Sequence, residues 1–253
     1  MKKDESKKES DLTLSASRVD IYQQCPRRYY YHYIEKLPRL DWDHFDLGTL
    51  VHGVLELFHE NFRSDDGKEC NLGRLMKESF GKFRAKMDKR KKLSIEILIE
   101  ARDILKGYLD KIKQEGIGSE ITSLEGDFKI DLNDKYEIRG VIDRIDKDPD
   151  GMWHIKDYKT NKNPKYMKPF QLAVYGIYLL DKYPEVDRFR GSYVMLRFNG
   201  MLISYDFNKE DVEKERKDLI IYADRIIEEE RWIAKPSRLC DWCDFKTVCL
   251  NSW

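Results

Sequence analysis

Gly140-Val141-Ile142-Asp143 and, beyond a turn, Ile155-Lys156-Asp157-Tyr158-Lys159-Thr160 form the stretch on which the fold turns. Tyr136 to Ile145 alternates apolar and polar residues in the manner of a strand, with Ile138, Val141 and Ile145 among the apolar ones. Asp148-Pro149-Asp150-Gly151 supplies turn chemistry, and Trp153 to Tyr158 reads as the returning strand of a β-hairpin. Side chains alternate across a strand, so Asp157 and Lys159 share one face while Tyr158 points to the other. A carboxylate and an ammonium side by side, with Asp143 on the partner strand, can hold a divalent cation against a phosphate. The competing reading is two surface strands in a chain that is 37% charged, where such a pair arises by chance. The hairpin alone does not choose between them.

Composition narrows the class. The 253 residues suffice for one sizeable domain or two small ones, and 41% of them are hydrophobic. The formal net charge is zero, so a polyanionic partner would have to meet a local patch rather than a whole-molecule field. No apolar run approaches the roughly 20 residues needed to cross a bilayer, and no membrane association is expected. Met1 to Asp11 is polar and charged with no apolar core, unlike a secretory signal, and is expected to be a disordered tail. Five cysteines without such a signal suit a reducing compartment, with a cytoplasmic or nucleoid-associated location.

Working outward, Arg18 to Tyr33 is expected to be helical with Ser15 or Ser17 as N-cap, and Pro26 to divide it into two short helices. The Arg27-Arg28-Tyr29-Tyr30-Tyr31 cluster could meet phosphates and bases, but packing is the commoner use of tyrosines so spaced. Gly48 to Phe62 reads as a helix too apolar for an exposed surface. On it His52, Glu56 and His59 share a face, which allows His52 as a metal ligand with Glu56 supporting it. Arg74 to Lys92 holds nine basic residues against Glu78 and Asp88, with Phe80 and Phe83 interleaved. It is a candidate phosphate-contacting face, or simply a solvated one. The helical pattern continues from Leu93 to Leu109, until Gly116 to Ser119 breaks it. Leu124 to Leu132 is a further strand. Lys156, Lys159, Lys162, Lys165 and Lys168 make a basic strip opposed only by Asp157. Lys168 to Tyr183 is a helix that places Gln171 and Tyr175 one turn apart. Ser192 to Phe198 and Met201 to Phe207 form a hairpin across Asn199-Gly200, and Lys209 to Ile233 a long charged helix.

Cys240, Cys243 and Cys249 lie within ten residues. Three thiolates are one short of a closed tetrahedral or cluster site. Cys25, followed by Pro26, is a better fourth than Cys70, which sits in a polar loop after Asp65-Asp66-Gly67. Closing so long a loop costs on the order of 5 kcal/mol, less than the roughly 10–16 kcal/mol a structural metal site supplies. Zinc and an iron–sulfur cluster both suit four thiolates.

Taken together these pieces resemble the RecB-like branch of the PD-(D/E)XK nuclease superfamily, in particular its iron–sulfur members, the AddB-type nucleases and the CRISPR-associated RecB-like exonucleases. The resemblance runs from Ser15 to Cys249 through six short elements in the family's order. They are Ser15-Ala16-Ser17 with Cys25-Pro26; Gly48-Thr49-Leu50-Val51-His52; Gly140 to Asp146; Ile155 to Thr160; Gln171 with Tyr175; and the terminal cysteines. It implies that His52, Asp143, Asp157 and the Tyr158 carbonyl bind Mg or Mn, that Lys159 is the catalytic lysine, and that Gln171 and Tyr175 support the site or touch DNA. It further implies that Cys25, Cys240, Cys243 and Cys249 hold a four-iron, four-sulfur cluster, with zinc as the alternative. Two departures stand out: no Pro-Asp precedes Asp143, and the acid before Lys159 is Asp157 where CRISPR-associated members often carry Glu.

The implied fold is α/β, a restriction-endonuclease-like central mixed β-sheet flanked by helices, with a helical, cluster-stapled N- and C-terminal region. A single nuclease domain is expected over 12–253, with a helical part at 12–115, a catalytic sheet core at 120–208 and a C-terminal helix and cysteine cluster at 209–253. The implied activity is metal-dependent hydrolysis of DNA, expected to be exonucleolytic on single strands or opened duplex ends, in recombination and repair or in CRISPR adaptation. The imidazole of His52 suits Mn at least as well as Mg. No G-x4-G-K-[ST] pattern occurs, so strand opening would need a helicase or a CRISPR-adaptation partner. The rival is a non-catalytic, metal-stapled DNA-binding component of a helicase–nuclease complex, which would have little use for His52, Asp143, Asp157 and Lys159 together.

Overall fold

The computed structural model describes residues 12–39, 43–64, 71–117 and 119–249, so the expected tail and Cys70 lie outside the described residues. In chain order the elements are strand β1 (Leu12–Leu14), helices α1 (Ala16–Gln24), α2 (Pro26–Tyr29), α3 (Asp43–Ser64), α4 (Leu72–Asp88) and α5 (Ile95–Glu115), then strands β2 (Glu120–Asp131), β3 (Tyr136–Lys147) and β4 (Trp153–Lys159). Helix α6 (Phe170–Lys182), strands β5 (Arg188–Met195) and β6 (Met201–Asn208) and helix α7 (Lys209–Ile227) complete them. The expected class, α/β with a mixed sheet flanked by helices, is the one observed. The chain divides into two compact units, one of Met1–Leu40, Asp127–Gly140 and Val212–Trp253, the other of Asp41–Gly126 and Val141–Asp211.

The second unit carries the mixed sheet. The end of β3 pairs antiparallel with β4, Ile145 opposite Ile155. β4 runs parallel to β5, Asp157 opposite Tyr193, and β5 antiparallel to β6, Met195 opposite Met201. A parallel pair needs a crossover, and α6 supplies it. That helix lies close on the sheet because residue 191 is glycine: a Cβ there would stand 2.9 Å from Leu172 Cβ. The other face is covered by α3, α4 and α5, whose apolar stripes form one core with Tyr158, Val194 and Leu196. Gly53 permits that packing, since a Cβ would fall 2.0 Å from the Phe83 ring.

Three boundaries differ from expectation. The basic and apolar helical patterns do not run on as one helix: α4 ends at Asp88, and Ser94 caps α5 by accepting from Ile97 N at 3.3 Å. The β5–β6 connection is longer than the two-residue turn read from Asn199-Gly200. Leu196–Phe198 form a 3₁₀ turn, although Asn199 and Gly200 do take the positive φ values that pair suggests, 54° and 72°. The last helix stops at Ile227, short of Ile233, and Trp232 turns back to stack on Tyr29 with ring centres 5.7 Å apart and planes 1° from parallel.

In the first unit β1 pairs parallel with the start of β3, Leu12 opposite Tyr136. Ser15 caps α1 by accepting from Arg18 N at 3.2 Å, and Pro26 divides α1 from α2 as expected. Within the tyrosine cluster Tyr29 packs in the interior: it is buried, with Tyr22 and Trp232 about its ring, while Tyr30 and Tyr31 are half-buried. Tyr136 joins this unit to its own C-terminal helix by donating to Asp224 at 2.6 Å.

Candidate active site

Alternation along β3 and β4 puts Asp143, Asp157 and Lys159 on one face of the sheet, as their positions in the sequence require. The fold then adds three residues remote in sequence. His52, on α3, brings Nδ1 to 3.1 Å from Asp143 Oδ1. Gln171 and Tyr175, on α6, reach the β4 residues from the helix above. Asp143 is fixed a second time, its Oδ2 accepting the Tyr158 backbone N–H at 2.6 Å. Lys159 Nζ stands 2.7 Å from Asp157 Oδ2 and donates to Gln171 Oε1 at 2.9 Å. Gln171 donates to the Tyr175 hydroxyl at 2.6 Å, and Tyr175 donates to Asp157 Oδ1 at 3.3 Å. Every residue expected at the site is thus brought together, and all belong to the second unit.

Electrostatics sharpen the arrangement. Asp157 is 3% exposed and Asp143 8%. Burial pushes the Asp157 carboxyl upward, and Asp143 pushes the same way, while the Lys159 ammonium pulls it down. A second buried carboxylate nearby disfavours the charged form of Asp157, and added positive charge favours it. Burial disfavours a charged His52, but Asp143, by charge and hydrogen bond, and then Asp157 outweigh it and hold the imidazole above its ordinary range. Burial and the Asp157 charge keep Tyr175 well above the usual phenol value, so it stays a donor. Tyr175→Phe would remove that donor and strand the Gln171 amide. We expect a loss of about 1–2 kcal/mol, read as a lower urea midpoint at unchanged slope.

A hard divalent cation fits these residues. Two carboxylates, one imidazole and the Tyr158 carbonyl are donors of the right kind. Asp157 Oδ2 is buried and stands 2.7 Å from the Lys159 ammonium. Among the described residues no three His, Cys, Asp or Glu side chains converge in metal-binding geometry.

The structure separates Glu56 and His59 from His52. Among the described residues no hydrogen bond or ion pair joins Glu56 to His52, so the supporting role read from spacing is not seen; burial, with Glu60 nearby, pushes the Glu56 carboxyl up. His59 is fully buried on the opposite face of the sheet, its ring parallel to Tyr158 at 6.3 Å and its Nε2 3.1 Å from Tyr108 Oη. There it belongs to a polar network that sequence reading missed. Arg144 donates to both Asp146 oxygens at 2.6 Å, Lys156 donates to Oδ2 at 2.6 Å, and Arg144 also reaches His59. The signal was present, since Arg144 and Asp146 alternate with Asp143. The basic run of α4 is not an aromatic-laced nucleic-acid face either, because Phe80 and Phe83 are buried in the core.

The cysteines gather in the first unit. Cys25, Cys240, Cys243 and Cys249 are free thiols lining one cavity. Two sulfurs already accept backbone N–H groups, Cys25 from Lys235 and Cys240 from Ser237, each at 3.4 Å. Burial pushes the Cys243 thiol up.

Comparison with known proteins gives the family and the fold. A model of the PD-(D/E)XK nuclease superfamily matches residues 13–250. The chain is 29% identical over 157 residues to one of the subunits of the ATP-dependent helicase/deoxyribonuclease of Streptococcus uberis, covering 60% of this chain and 14% of that one. It is 30% identical over 167 residues to the corresponding polypeptide of Streptococcus mutans, which bears the same name, covering 63% of this chain and 15% of that one. The chain therefore spans about one seventh of the length of these curated relatives. In fold it is similar to the solved structure of a presumed exonuclease from Eubacterium rectale, with a TM-score of 0.54 and 12% identity over 97% of this chain and 91% of that one.

Proposed function

The chain belongs to the PD-(D/E)XK nuclease superfamily, and from that premise we propose that it is a metal-dependent DNA nuclease. The observation that carries this reading is that the fold sets His52 against Asp143 and Gln171 and Tyr175 against Lys159 and Asp157, with both carboxylates buried on one face of the sheet. His52, Asp143, Asp157 and the Tyr158 carbonyl would hold Mg or Mn, with the imidazole favouring Mn. A divalent ion in that position supplies Lewis acidity toward a phosphoryl oxygen and lowers the pKa of water from 15.7 to about 7 in favourable cases. The protein's own residues do the rest. Lys159 adds positive charge where the phosphate accumulates negative charge, or orients the attacking water. Gln171 holds the ammonium in place, and Tyr175 fixes the carboxylate beside it. The Tyr158 N–H holds Asp143 against rotation.

Single-stranded DNA, or a duplex end opened by a partner, is the proposed substrate. The helicase/deoxyribonuclease names of the Streptococcus relatives favour end processing beside a helicase over a role in CRISPR adaptation. The test is a metal titration on end-labelled linear and on circular single strands. We expect Mn- and Mg-dependent cleavage of the linear strand and little of the circle. No cleavage of either with any divalent metal, alongside retained binding, would support a non-catalytic DNA-binding role instead.

We propose a four-iron, four-sulfur cluster at Cys25, Cys240, Cys243 and Cys249. Four thiols about one cavity support it, as do the N–H donors already directed at two sulfurs, which tune clusters. Protein purified without oxygen is expected to be brown with broad visible absorption, and to lose both colour and stability in a chelator or in air. Colourless, iron-free protein with stoichiometric zinc would overturn the cluster in favour of a zinc site.

A further inference from the structure

The segment from Thr160 to Pro169 follows Lys159 directly and contains three lysines and no acid. Its tip is a 3₁₀ turn, Pro164–Tyr166, and Tyr166 is 75% exposed, more than any other large hydrophobic side chain among the described residues. An exposed tyrosine on a loose loop would mean little. This loop is pinned. Asn163 Oδ1 accepts from Lys165 N at 2.9 Å, closing the turn. Tyr205 donates to the Met167 carbonyl at 3.0 Å, and Tyr193 to the Lys168 carbonyl at 2.7 Å. The Tyr193 ring in turn lies under Lys159, whose Nζ is 5.3 Å from its centre. Tyr166 therefore stands out from a hydrogen-bonded loop whose far end is anchored one side chain from Lys159.

Lys162, Lys165 and Lys168 around it are exposed, and among the described residues none is in an ion pair. An exposed aromatic flanked by cations is how proteins receive an unpaired base and its neighbouring phosphates. We propose that Tyr166 is a stacking platform for a nucleobase of single-stranded nucleic acid, with the three lysines taking the adjoining phosphates. The platform rests on the nuclease reading and deepens it by adding a subsite for unpaired bases. A base paired within a duplex has no free face to offer, so the platform favours single strands.

Binding of a fluorescent oligothymidylate, followed by anisotropy in EDTA, tests the platform without cleavage. Tyr166→Ala is expected to weaken binding by about 5- to 150-fold, the loss of one stacked base, while Tyr166→Phe retains affinity. A fully abasic oligonucleotide and a blunt duplex should bind the wild type and Tyr166→Ala alike. Equal binding of oligothymidylate by wild type and Tyr166→Ala would overturn the platform and leave this face to a protein partner. An equal loss for the abasic strand would also overturn it, because the effect would then not be stacking. The two readings fail separately. A wild type that cleaves with Mn while Tyr166→Ala leaves its KM unchanged sinks the platform alone. A wild type that binds through Tyr166 but never cleaves sinks the nuclease alone.

Discussion

Lys159→Ala and Asp157→Ala are each expected to reduce Mn-dependent cleavage by at least about 100- to 1000-fold, the range for removing one preorganised charged group from a reaction centre, while the fold survives. Survival follows from the surroundings. Without Asp157, the Lys159 ammonium still bonds Gln171 and, with its side chain 23% exposed, still meets water. Without Lys159, the Asp157 carboxyl loses its nearest cation, and burial then favours its protonated form, which Tyr175 can still satisfy. The two variants should differ in metal binding. Asp157→Ala removes a donor oxygen and should lose affinity for Mn, measured by titration calorimetry. Lys159→Ala keeps every donor oxygen, but the Asp157 carboxyl must then shed a proton before it binds Mn, so affinity should fall less than in Asp157→Ala while the rate is lost. Undiminished cleavage by either variant, at wild-type melting temperature, would remove both residues from the chemistry.

The second large effect is on stability, behind the site. Asp146 is fully buried and takes hydrogen bonds from Arg144, Lys156 and Ser119. Asp146→Ala would leave two cations facing His59 in the interior, and breaking a buried pair from one side costs about 3–5 kcal/mol. Against a total stability of roughly 5–15 kcal/mol, that brings the unit near unfolding at room temperature. A paired replacement, Arg144→Met with Asp146→Leu, should recover most of the loss, because both buried charges then disappear together. Wild-type stability in Asp146→Ala alone would contradict the network's role.

The same carboxylate carries a pH signature. Burial pushes the Asp146 carboxyl up, but the Arg144 hydrogen bond and charge, followed by Lys156, hold it at about 2, below its ordinary 3.8. A carboxylate lowered by folding stabilises the protein above its unfolded value, and that contribution is lost as pH falls toward the folded value. About 2 kcal/mol should therefore disappear between pH 4 and 2. His59 adds to the loss earlier, since burial and Arg144 hold it neutral and unfolding lets it charge below about 6.5. Urea unfolding followed from pH 7 to 2 should show a steeper acid slope in wild type than in the Arg144→Met, Asp146→Leu pair.

The chemistry-bearing residues could be read from the sequence because a strand imposes a strict period of two. Asp143, Asp157 and Lys159 had to share a face once the hairpin was recognised, and Tyr158 had to oppose them. Pro26 had to divide the first helix, and Ser15 could cap it, for equally local reasons. The helical pattern of α3 placed His52, Glu56 and His59 along one stripe, but a stripe does not say what meets each turn. Tertiary packing decided that His52 meets Asp143 while His59 lies beneath Tyr158 in a charged interior. It decided as well that Phe80 and Phe83 belong to a core, that four cysteines line one cavity, and that Tyr166 stands pinned in solvent. Periodicity reports only a residue's neighbours along its own element, whereas burial and pairing depend on segments that meet across a hundred residues of chain. Asp157 shows the division most plainly: its face was legible from its position in the strand, but the loss of water around its Oδ2 exists only once α6, β4 and β5 have packed together.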